Sequence, residues 1–122
     1  MSDNPLTGLR VLIVEDDPFI ALDMGYILSE AGAEIVGPAH TASSALTLID
    51  NQVPDIAVLD WRLERETASP VADRLASLDV PFLFHTSSRG EPEAAHPGAT
   101  IVGKPTQPEQ LVLAVIALIH RT

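Results

Sequence analysis

The sequence predicts an α/β domain, built as a doubly wound, five-stranded parallel sheet with helices on both faces. Two observations carry this. Short β-rich apolar runs alternate along the chain with stretches whose apolar residues recur at helical spacing, the order expected of repeated strand-helix units. Polar residues of several kinds then fall at the carboxyl ends of those runs, where an open parallel sheet collects functional groups.

Strands are predicted at Arg10 to Val14, Glu34 to Val36, Ile56 to Leu59, Pro81 to His85 and Thr100 to Val102. Between the first two, Ile20, Met24, Ile27, Leu28 and Ala31 recur at helical spacing, with Asp17 as cap, Pro18 at the first helical position and Gly32 beyond the end. Thr41 caps a second helix, with Ala45, Leu48 and Ile49 inward, and Pro70 opens a third, with Val71, Leu75 and Leu78 inward. The last helix starts at "TQPE", where Thr106 and Glu109 have capping-box spacing. From Ser87 to Gly98 the pattern fails: two prolines, two glycines and almost no large apolar residue predict a fourth helix that is abbreviated or replaced by loop. The first eight residues read as a loose lead-in.

Composition bounds the function. The 122 residues, 46% of them apolar, suit one domain spanning 1–122 with a single core. Without cysteine there is neither a disulfide frame nor a thiolate metal site, and no basic-then-apolar leader marks export, so the cytoplasm is the expected location. The longest wholly apolar run, Leu111 to Ile119, has nine residues, too few to cross a membrane. Seventeen acidic against seven basic residues give a net charge of −10, which repels phosphate backbones and anionic lipids, so neither nucleic acid nor membrane is an expected partner.

The first strand runs into three consecutive carboxylates, Glu15, Asp16 and Asp17. Like charges so close repel unless a cation or a helix start absorbs them. Asp17 is placed to cap the helix, which leaves Glu15 and Asp16 for a metal. The other strand ends offer Asp60, Thr86 and Lys104. A carboxylate can accept a phosphoryl group as a mixed anhydride, but the approach of a second anion needs positive charge. Asp16, Asp60 and a backbone carbonyl suit Mg²⁺; Lys104 can pair with one phosphoryl oxygen and Thr86 can donate to another.

With the acidic pair after the first strand, "LD" after the third, Thr86, and the "KP" of Lys104 and Pro105, the chain resembles a bacterial two-component response-regulator receiver domain from end to end. It is similar in particular to the receiver subfamily known as FAT GUY, in "FLFHTSS" at 82–88, "PVAD" at 70–73 and the helix-poor Ser87 to Gly98. The resemblance implies the flavodoxin-like strand order 2-1-3-4-5. It implies Asp60 as phosphoacceptor, Glu15 and Asp16 as the acidic pair serving Mg²⁺, Arg62 as donor of a backbone carbonyl to the metal, Thr86 as switch hydroxyl and Lys104 as phosphate-pairing lysine. The chain departs from the pattern in places. Ile101 stands where an aromatic often reports phosphorylation, "TSS" replaces "TGY", and His85 replaces the usual alanine. Arg62 beside the phosphoacceptor is unusual, its charge within reach of the phosphoryl group or of Glu64 or Glu66. His85 reads as a core residue facing away from Thr86's side, and His40, His96 and His120 have no ligand spacing, so no zinc site is expected. Trp61 is expected partly exposed near the rim.

The leading function is a single-domain response regulator that takes a phosphoryl group from a histidine kinase or phosphotransfer protein and signals by protein contact. No output domain is expected beyond the last helix, and no catalysis beyond self-phosphorylation and autodephosphorylation is expected. One alternative is a receiver-like adaptor that acts without phosphorylation. A haloacid-dehalogenase-type phosphohydrolase is disfavoured, because such enzymes carry a second aspartate two residues beyond the first, and that position is Arg62. Leu113, Ile116, Ala117 and His120 form a second stripe on the last helix, which predicts a homodimer through Leu113 and Ile116.

Overall fold

The computed structural model describes residues 4–88 and 90–120. Five parallel strands, β1 (Arg10–Val14), β2 (Glu34–Ala39), β3 (Ile56–Leu59), β6 (Phe82–Thr86) and β7 (Thr100–Gly103), lie in the order β2-β1-β3-β6-β7, the predicted 2-1-3-4-5. Between β3 and β6 a small antiparallel hairpin, β4 (Arg62–Leu63) with β5 (Glu66–Thr67), had no signature in the sequence, because two-residue strands carry no periodicity. The helices are α1 (Pro18–Glu30), α2 (Ala42–Asn51), α3 (Ser69–Ser77), α4 (Gly90–Ala95) and α5 (Pro108–Ile119). Among the described residues no helix is long and apolar enough to cross a membrane.

Strand alternation divides the interior into two cores. Val11, Ile13, Ile56 and Val58 face α1 and α5, where they meet Met24, Leu28, Leu111 and Val115. Leu12, Val14, Ala57 and Leu59 face α2 and α3, where they meet Ala45, Ile49, Val71 and Leu75. With both faces covered, residues 11–14 of β1 and all of β3 are buried, as their continuous apolar runs require.

The caps at Asp17 and Thr41 are as expected: Asp17 accepts hydrogen bonds from the amides of Phe19 and Ile20, and Thr41 from Ser44. Four expectations are corrected. β2 runs on to Ala39, because its register shifts past the positive-φ Gly37 to pair Ala39 with Val14. Leu78 is not inward; it is the C-cap of α3, 37% exposed, and Ala72 fills the core instead. The cap of α5 is Gln107, without a side-chain hydrogen bond, because Pro108 already occupies the first turn. The lead-in is not loose from Asn4 onward: Leu6 is fully buried and its amide donates to the Ala31 carbonyl at 2.9 Å. Residues 1–3 lie outside the described residues. The fourth helix is abbreviated as predicted, six residues of which only Pro92 is buried.

Candidate functional site

The carboxyl ends of β1, β3, β6 and β7 bring Glu15, Asp16, Asp60, Thr86 and Lys104 to one rim, because parallel strands all end on the same side. Lys104 Nζ donates to Glu15 Oε1 at 2.7 Å and to Asp60 Oδ2 at 2.9 Å, joining residues 89 and 44 positions apart in the chain. Its amide donates to the Thr86 carbonyl, which registers β7 against β6 at this level. Thr86 is buried, and its hydroxyl accepts from the Ser88 amide at 3.2 Å. Asp60 Oδ1 accepts from the Arg62 amide at 3.3 Å.

Glu15, Asp16 and Asp60 each offer a carboxylate oxygen, and these oxygens lie within 4.8 Å of one another. An all-oxygen donor set at a rim is what a hard divalent cation such as Mg²⁺ takes. Asp17 stays out of this set, occupied by its cap, as the sequence suggested. Burial pushes the Glu15 carboxyl up to about 7 against the pull of Lys104 and the Asp17 amide, and the Asp60 charge adds to the push. Burial also works against the Lys104 charge, but its hydrogen bonds to Glu15 and Asp60 outweigh that and raise its pKa. The Lys104 ammonium is therefore a firm charge at the site. His40 Nδ1 donates to the Glu15 carbonyl at 2.8 Å and fixes the end of β1.

Two neighbours of Asp60 are placed differently from expectation. Trp61 is buried rather than partly exposed: its indole lies edge-on to Phe84 at 5.4 Å and to His96 at 5.9 Å, and Nε1 donates to Glu91 Oε1 at 2.9 Å. Arg62 reaches neither Glu64 nor Glu66. Its Nη2 holds both oxygens of Glu91, in the first turn of α4, at 2.9 and 3.0 Å. Glu66 instead accepts from the Ala42 amide at the start of α2. Sequence reasoning missed Glu91 and His96, although the acidic "GEPE" is the kind of first turn a short helix shows. His85 is buried as expected, with Nδ1 3.0 Å from Met24 Sδ, and burial pushes its pKa down to about 4.

Residues 11–116 match the family model of the response regulator receiver domain. The chain is 37% identical over 68 residues to the transcriptional regulatory protein PdtaR of Mycobacterium tuberculosis, a match covering 56% of this chain and 33% of that one. It is 30% identical to the phyllosphere-induced regulator PhyR of Methylorubrum extorquens, covering 88% of this chain and 42% of that one. The receiver domain of Erythrobacter litoralis PhyR superposes with a TM-score of 0.80 at 26% identity, covering 93% of this chain and 91% of that one. The match spans only about a third to two-fifths of the two curated relatives.

Proposed function

Because the chain belongs to the response regulator receiver domain family, we propose that it is a phosphoacceptor in two-component signalling, taking a phosphoryl group on Asp60 and acting by protein contact. The observation that carries this reading is the Lys104 ammonium bridging Glu15 and Asp60, with Asp16 and Thr86 on the same rim. The donor is the phosphohistidine of a histidine kinase or phosphotransfer protein. A carboxylate oxygen of Asp60 bonds to phosphorus as the phosphorus–nitrogen bond breaks, and the bonding pair stays with the imidazole, which takes a proton from water. Lys104, held beside Asp60, pairs with a phosphoryl oxygen, and the Thr86 hydroxyl turns from the Ser88 amide to donate to another. Glu15, Asp16, Asp60 and the Arg62 carbonyl would hold Mg²⁺, which supplies the positive charge that lets two anions meet.

Acetyl phosphate with Mg²⁺ should add one phosphoryl group to the full chain, read by intact mass, and Asp60→Asn should abolish the addition while keeping the fold. Label retained by the variant would move the acceptor to another carboxylate. A wild type that takes no label would favour the adaptor that acts without phosphorylation. One observation speaks for that second reading: Phe19, Leu22 and Tyr26, 82%, 73% and 65% exposed, line up at helical spacing on α1, a face usable whatever the state of Asp60. The phosphohydrolase reading has no support at Arg62, whose side chain is committed to Glu91.

A further inference from the structure

We infer that Arg62 carries the state of Asp60 to α4 through Glu91, so that phosphorylation loosens the amino-terminal end of that helix; this rests on Asp60 being the phosphoacceptor. The attachments of α4 are few. Only Pro92 within it is buried, and Glu91, one of the two acids of its first turn, is held by the two residues that directly follow Asp60. At the other end His96 has further anchors away from Arg62, its Nε2 3.0 Å from Ser69 Oγ and its ring against Phe82 and Phe84 as well as Trp61. The helix is thus hinged at His96 and latched at Glu91.

The latch is weak by design of its surroundings. Arg62 and Glu91 are 58% and 56% exposed, and an ion pair in that setting is screened and contributes little. A phosphoryl group on Asp60 would replace the single carboxylate charge by nearly two negative charges, on three acceptor oxygens, beside the Arg62 main chain, whose amide already touches Asp60. A guanidinium fork suits phosphoryl oxygens better than one exposed carboxylate, so Arg62 moves to the phosphoryl group and Glu91 loses its counter-charge. Glu91 Oε1, shared between Arg62 and Trp61, is then left with the indole alone. With Ile101 in place of an aromatic on β7, this gives the domain a route from site to surface that needs no aromatic rotation there.

Hydrogen exchange over residues 90–95 and Trp61 fluorescence, measured on the full chain before and after acetyl phosphate with Mg²⁺, test the inference. Exchange in wild-type α4 should rise on phosphorylation by up to about fivefold, the upper end for losing one exposed ion pair. Glu91→Gln should be phosphorylated to the same extent by intact mass, yet start with the faster exchange and show no further rise; Glu91→Asp should restore the rise. Phosphorylated wild type with unchanged α4 exchange overturns the inference. So does a Glu91→Gln variant that keeps the full rise above a higher baseline, since Glu91 would then be only a structural contact. Absence of label on wild type defeats the phosphoacceptor reading itself, and the mass measurement separates that failure from the others.

Discussion

Lys104 is held by two carboxylates, whereas Asp16 and Asp17, adjacent in sequence, face different tasks. Asp16→Ala should therefore weaken Mg²⁺ binding strongly, while Asp17→Ala should leave it near wild type and cost about 1 kcal/mol of stability through the lost cap. Magnesium titration and urea unfolding of both variants check this, and equal losses of affinity would contradict it. His85 gives a second test. Its pKa is lowered by burial, with the Lys104 charge adding and Asp60 opposing, and Asp23 lines the same cavity. The unfolded chain therefore binds a proton near pH 6.5 that the folded chain refuses until about 4. Stability from this residue is full above 6.5 and falls as pH drops, by about 2 kcal/mol at pH 5. Glu15 works oppositely: its raised pKa contributes stability fully below its ordinary 4.5, lost as pH climbs through about 7. The two shifts oppose each other in wild type without metal. His85→Leu should unmask Glu15, so that the variant gains stability between pH 7 and 5 in chelator, read from urea midpoints. Parallel profiles for the two proteins would refute the assignment. At this scale the rim residues were legible because each ends an apolar run, whereas the burial of Trp61 was not, since it depends on His96, far along the chain.

The ends of α1 and α3 solve one problem with different residues. After α1, Gly32 has φ +104, its amide donates to the Ser29 carbonyl, and Ala33 donates to Leu28. After α3, Asp79 has φ +58, its amide donates to Ala76, and Val80 donates to Leu75. Both are Schellman ends, and only the first has the glycine that the left-handed conformation favours. Asp79→Gly should therefore raise stability by about 0.5–1 kcal/mol despite the greater freedom of the unfolded chain, an increase measurable in urea, whereas Asp79→Ala should bring none. Gly32 was readable as a helix end, but Asp79 was not, because aspartate is rarely a stop signal. Helices opened by Asp17 and Thr41 declared themselves through their caps. The start of α5 misled because Thr106 and Glu109 imitate a capping box where the chain uses Pro108. The short α4 showed only as a failure of pattern.

Across the whole molecule, the strand order and both cores followed from alternation and helical spacing, while the surface apolar residues proved harder to read. Ile116 packs against the core, so Leu113, 61% exposed, is the large apolar side chain that the outer stripe of α5 offers a partner. It borders a groove shared with Tyr26 on α1 and rimmed by Asp23, Glu30 and Glu109. Two copies meeting there would bring like charges together, on chains that each carry −10. Self-association through Leu113 should accordingly strengthen with added salt and vanish in Leu113→Glu, as sedimentation would show; association that weakens with salt would point elsewhere. Leu6 sets where the domain physically begins. It is sealed into the core shared with α1 and β1, and the turn around it presses on Gly32, where an added Cβ would lie 2.7 Å from Thr7 Oγ1. A boundary cut at the family match, residue 11, would remove this plug and open a hole at the foot of the sheet, so any fusion or trimming of the domain has to keep the chain from Asn4 onward.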